Sequence, residues 1–152
     1  MSPADILSRL RRFLLVFSIL LLGGAVVELS LVNHTADAVQ LMPFALCGLG
    51  SVAALVALLR PQRATVLGLR ICMGLVVCGS LFGIYEHLEN NFAFQREINP
   101  HEPTGDMMLS ALGGANPLLA PGILAVAGVL ALAVTYHHPA LGDGDEELKR
   151  DR

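Results

Sequence analysis

The chain has 152 residues, 54% of them hydrophobic and only 15% charged, with a formal net charge of −3 and a mean hydropathy of +0.62. A soluble domain of this length seldom reaches that balance, whereas a polytopic membrane protein does. The lack of a basic patch interleaved with aromatics also argues against a nucleic-acid partner.

Taken in chain order, residues 1–11 read as a cytoplasmic segment, with Arg9, Arg11 and Arg12 at the edge of the first apolar run. That run predicts a transmembrane helix over 12–32. It is long for the core of a cleavable signal peptide, and no A-x-A site follows it, so a retained helix is expected. Asn33 to Ala38 make a short turn. A second helix is expected over 40–60, with Pro43 in its first turn, where the missing N–H does little harm. "RPQR" closes it, and a third helix follows over 66–90. A periplasmic loop is expected over 91–116, in which "TGDMMLSALGG" has the pattern of a short amphipathic surface helix. Asn116 and Pro117 read as N-cap and first residue of a fourth span over 117–137, and 140–152 as a polar cytoplasmic tail. Each apolar run is close to the ~20 residues that cross a hydrocarbon core. The expected fold is therefore all-α, a polytopic four-transmembrane-helix bundle occupying 12–139.

Basic residues orient it. With the N-terminus inside, nine of the ten Lys and Arg residues face the cytoplasm and only Arg96 faces out, so both termini are expected to be cytoplasmic. Cys47, Cys72 and Cys78 lie within spans and have no metal-knuckle spacing, which makes them packing residues.

An internal echo suggests two repeated helical hairpins. Aligning Pro43 with Pro121 brings Leu46 onto Leu124, Gly50 onto Gly128, Ala53 onto Ala131 and Pro61 onto Pro139. Arg12 to Glu28 and Arg70 to Glu86 are both sixteen residues apart. A pseudo-two-fold axis along the membrane normal would relate the pairs.

The candidate site lies at the outer end. Sixteen residues of helix rise about 24 Å, which puts Glu28 and Glu86 at similar depth, where a carboxylate is a functional-site candidate by default. Gly79, Phe82, Gly83, Glu86, Glu89 and Asn90 share one stripe, and its Gly-x-x-x-Gly pair turns Glu86 toward the bundle. Glu28, His34, Glu86, His87, Glu97 and His101 form a candidate set for a divalent transition metal, imidazole favouring zinc, copper or iron. No His-x-x-x-His or Glu-x-x-His pair supports it, and Pro100 is expected to break the helix between Glu97 and His101. The alternative is a hydrogen-bonded polar cap including Asp37, Gln40, Glu89, Asn90, Asn91 and Arg96. Tyr136, His137 and His138 read as interfacial anchors at the other end. No phosphate loop, nucleophile elbow or haem-attachment motif is present, so no catalytic residue is assigned.

The stretches "ELSLVNHTADAVQLMPF", "GIYEHLENNFAFQRE" and "NPLLAPG…YHHPALG" resemble small four-helix bacterial integral membrane proteins of unknown function, over about Glu28 to Gly142. The resemblance implies a bacterial inner-membrane location and directs attention to the outer polar residues; it implies no activity. Three functions are expected from these features. The first is a non-catalytic accessory or scaffold subunit, with the bilayer and other membrane subunits or a second copy as partners. The second is a metal- or proton-handling protein. The third is a small-solute transporter or channel formed as an oligomer.

Overall fold

A computed structural model of the chain describes residues 1–142 and contains helices only among them. They are α1 (Pro3–Leu31), α2 (Ala38–Leu59), α3 (Arg63–Ile98), α4 (Thr104–Leu112) and α5 (Leu119–Val134). Three of them, α1, α2 and α3, are long and apolar enough to cross a membrane. The tail from residue 143 onward lies outside the described residues.

Local chemistry sets the first helix starts. Ser2 Oγ accepts the Asp5 N–H at 3.2 Å while the Asp5 carboxylate accepts the Ser2 N–H at 2.9 Å, a reciprocal cap with Pro3 at the first helical position. This box pulls α1 nine residues ahead of its expected start at residue 12, so most of the N-terminal segment is helical. At α2, Asp37 Oδ1 accepts the Gln40 N–H at 2.9 Å. Because α2 begins at Ala38, Pro43 sits inside the helix rather than in its first turn.

The three long helices and the shorter α5 pack as a square. α1 touches α2 and α5, α3 touches the same two, and α1 and α3 share no contact. α2 and α5 meet weakly across the short diagonal, and α4 packs on α3 alone. Leu22, Cys47, Ala54, Met73, Val76, Ala127 and Ala131 fill the centre. Small residues let the backbones approach: a Cβ at Gly50 would lie 3.0 Å from Leu22 and 3.2 Å from Val76, and one at Gly128 would lie 2.7 Å from Val77 and 3.3 Å from the Met73 carbonyl. The outer faces carry exposed Phe13, Phe17, Leu20, Val52, Ile71, Leu75 and Val126. That is apolar area that a water-soluble monomer does not ordinarily leave uncovered.

Two expected boundaries are corrected. Helix 3 does not stop at residue 90 but continues to Ile98, where Pro100 ends it as anticipated. Its 36 residues rise about 54 Å, well past a hydrocarbon core of ~30 Å. The expected 91–116 loop accordingly shrinks to two short connections either side of α4, the amphipathic helix foreseen at "TGDMMLSAL". The last apolar helix is not 117–137 but sixteen residues, Leu119–Val134, about 24 Å long. Its N-terminal end has no side-chain cap of its own, and at its C-terminal end Thr135 Oγ1 donates back to the Leu132 carbonyl at 2.8 Å.

Other helices define those ends. Before α5, residues Asn116 and Pro117 are held in irregular backbone by α3, so Asn116 cannot act as N-cap. After it, Arg70 of α3 donates from Nε to Thr135 Oγ1 at 3.1 Å and from Nη2 to the Thr135 carbonyl at 3.0 Å. Arg11 of α1 donates to the Tyr136 and His137 carbonyls at 3.1 and 2.8 Å. These guanidinium groups satisfy carbonyls that helix termination orphans. His137 adopts φ +43°, a left-handed turn that stops the helix, and its ring meets Tyr136 edge-on at 4.5 Å.

Candidate functional site

The site is built on the C-terminal third of α3. Its fully buried positions are Val66, Leu69, Met73, Val76, Ser80 and Asn91, a line of three- and four-residue steps that passes through His87. The residue turned most squarely to the core toward the C-terminal end of α3 is therefore Asn91, with His87 one turn before it. Glu86, expected to point inward, is half-buried beside that line.

Asn91 is only 2% exposed and makes three hydrogen bonds, one to the last turn of α4 and two to the segment linking α4 to α5. Its Nδ2 donates to the Ala111 carbonyl at 3.0 Å and the Asn116 carbonyl at 2.8 Å, and its Oδ1 accepts the Asn116 N–H at 2.9 Å. The amide thus acts as a substitute backbone strand for residue 116, pairing both its donor and its acceptor. Gly114 is packed so closely that an added Cβ would fall 2.6 Å from Asn91 Oδ1. His87 completes the clamp: its Nδ1 lies 2.9 Å from the Pro117 carbonyl. A carbonyl only accepts, so Nδ1 carries the proton and, in the neutral ring, Nε2 is left as the acceptor.

The remaining candidates divide into three groups. Asp37 and Gln40 belong to the start of α2: Asp37 caps it, and Gln40 Oε1 accepts the Ala36 N–H at 2.8 Å. His34 is half-buried just beyond α1, its ring 6.3 Å from that of His87 and tilted by 53°. Glu28, Glu89, Asn90, Arg96 and Glu97 are exposed on α1 and α3, and His101 is exposed in the turn after α3. Glu28 and Glu86 are not brought together, because α1 and α3 occupy opposite corners of the square. His101 borders a cleft of about 420 Å³ with Asn99 and Glu102, all from one turn. Among the described residues, no three of His, Cys, Asp and Glu lie close enough to hold a metal ion.

Sequence reasoning placed Asn91 at the right end but missed its function. The signal was available only as a juxtaposition of an amide-bearing residue seven after Ile84 with the Gly113-Gly114 pair, which leaves room for it. The interhelical roles of Arg11 and Arg70 carried no local signal. The Gly-x-x-x-Gly reading fares better, since Gly79 leaves room for Leu46 of α2, and a Cβ at Gly83 would lie 3.3 Å from Pro121 of α5.

No family model, curated protein or solved structure matches this chain.

Proposed function

We propose that the chain is a four-span protein of a bacterial inner membrane, both termini cytoplasmic, serving as a non-catalytic accessory or scaffold subunit of a membrane complex. α5 is short for a span but almost wholly apolar, and neighbouring helices on two sides accommodate such mismatch. The placement of α1 opposite α3 and of α2 opposite α5 suits two hairpins related by a two-fold axis. The observation that carries the reading is how the polar cap spends its hydrogen bonds. Asn91, His87, Asp37 and Gln40 all pair with backbone groups of the chain itself. They hold a shaped, polar surface in place for a neighbouring subunit to sit on. Deleting the gene and separating solubilised membranes on a native gel tests this: one complex is expected to lose mass or dissociate. An unchanged pattern overturns the reading.

One observation favours a second reading, proton or metal handling: the approach of the His34 and His87 rings. Elemental analysis of protein purified without chelators separates the two. Stoichiometric zinc, copper or iron that disappears in His34→Ala and His87→Ala supports it, and substoichiometric metal throughout removes the metal form.

A further inference from the structure

At the end opposite the cap, the three long helices and α5 converge on a groove of about 690 Å³. Its mouth is lined by Arg11 and Arg12 of α1, Arg63 at the first turn of α3, and His138 beyond α5. Its inner wall is apolar, with Leu15 and Leu58 among the lining residues. Arg11 is already committed to the Tyr136 and His137 carbonyls, which fixes it in place, while Arg12 and Arg63 are exposed at the opening. Burial first, and then the Arg11 guanidinium, hold the His138 imidazole below its ordinary value. The ring is accordingly neutral at pH 7, and its Nδ1 accepts the Ala140 N–H at 3.2 Å.

We propose that this groove binds the phosphate-bearing headgroup of an anionic phospholipid, with Arg12 and Arg63 as its principal ligands. The inference rests on the membrane-spanning reading. Three features select the occupant. The volume exceeds what a bare ion fills, and the gradient from guanidinium mouth to apolar wall matches a headgroup followed by its acyl chains. The N-terminus of α3 also turns the positive end of its dipole toward this mouth at Arg63, which favours a phosphate. Depth agrees as well. From Arg12 to Leu31, α1 rises about 29 Å, the thickness of a hydrocarbon core, so the groove stands at headgroup level. Basic pockets between helices on the cytoplasmic side are suited to such lipids, and arginine in particular to paired hydrogen bonding of phosphate.

The experiment uses the full chain in an uncharged maltoside detergent, with the thermal unfolding midpoint read during titration with short-chain phosphatidylglycerol, matched phosphatidylcholine and inorganic phosphate. Phosphatidylglycerol is expected to raise the midpoint by about 5 °C at a hundredfold excess over its dissociation constant. Phosphatidylcholine and phosphate should do much less. An Arg12→Gln/Arg63→Gln double variant should lose the rise, whereas Arg9→Gln/Arg60→Gln, at the same end but outside the groove, should retain it. An equal response to phosphatidylcholine or to free phosphate overturns the proposal, as does equal loss in the two double variants. A rise seen only when the chain is truncated after Gly142 also overturns it, in favour of the acidic residues 143–152 as occupants. Carbonate extraction of native membranes keeps the premise separate. A chain that stays in the pellet yet shows no rise loses the lipid site alone, and one released to the supernatant loses the membrane reading itself.

Discussion

An Asn91→Ala variant unfolds about 3 kcal/mol more easily than the parent chain, and its first proteolytic cuts fall between residues 99 and 118. The removed amide leaves both polar groups of Asn116 without their partner and takes one donor from the Ala111 carbonyl, which keeps the Gly114 N–H at 3.3 Å. A net hydrogen bond contributes ~1 kcal/mol, and a buried group left unpaired costs ~1–3 kcal/mol, so three lost bonds with partial rewetting give this magnitude. Detergent-to-dodecyl-sulfate titration followed by helicity measures the loss, and limited proteolysis locates it. Asn91→Asp is the sharper variant. It keeps the acceptor for the Asn116 N–H but turns both donated bonds into oxygen facing oxygen, so it should be no more stable than the alanine form. Parent-like stability in both variants would mean that the clamp contributes nothing.

Replacing Gly128 with leucine has the second large effect, about 2–3 kcal/mol of destabilisation with separation of α5 from α3. Even one added carbon would press on Val77 and lie 3.3 Å from the Met73 carbonyl, and that backbone atom cannot rotate away as a side-chain tip can. Overpacking of this kind typically costs 1–3 kcal/mol. In lipid it is felt directly, because close van der Waals fit supplies much of helix association. Gly74→Ala and Gly122→Ala are the matched controls. Nothing lies within 4 Å of a Cβ at either position, so their stability should change by less than about 0.5 kcal/mol. If Gly128→Leu behaves like these controls, α3 and α5 are not packed as closely as described.

What the sequence discloses and what it hides follow from the range of each interaction. Apolar runs report helix existence well, because their length is matched to a fixed hydrocarbon thickness. Helix ends are legible at a local stop such as Pro100, less so at the equally local caps Ser2 and Asp37. They are hidden where a distant side chain decides them: Asn91 acts on residue 116, Arg70 on residue 135 and Arg11 on residue 137. The C-terminal turns of α3, "NFAFQREI", carry no continuous apolar signal, yet α3 runs through them, with α4 packed on α3 alone. The pairing expected of Glu28 with Glu86 shows a different limit. Residue counting gives depth along a helix and says nothing of position around the bundle; with α2 and α5 interposed, equal depth does not bring the two acids together. Grouping Asp37, Gln40, His87 and Asn91 in one polar cap needed depth alone.

The reliance of α5 on side chains of other helices bears on how the protein is made. The partner side chains on other helices, from Arg11 and Arg70 at one end to His87 and Asn91 at the other, leave the ribosome before α5 does. The final helix thus arrives at a frame whose end-stops are already synthesised, like a keystone lowered between standing stones. Errors in the earlier helices should therefore surface first as misplacement of the last one.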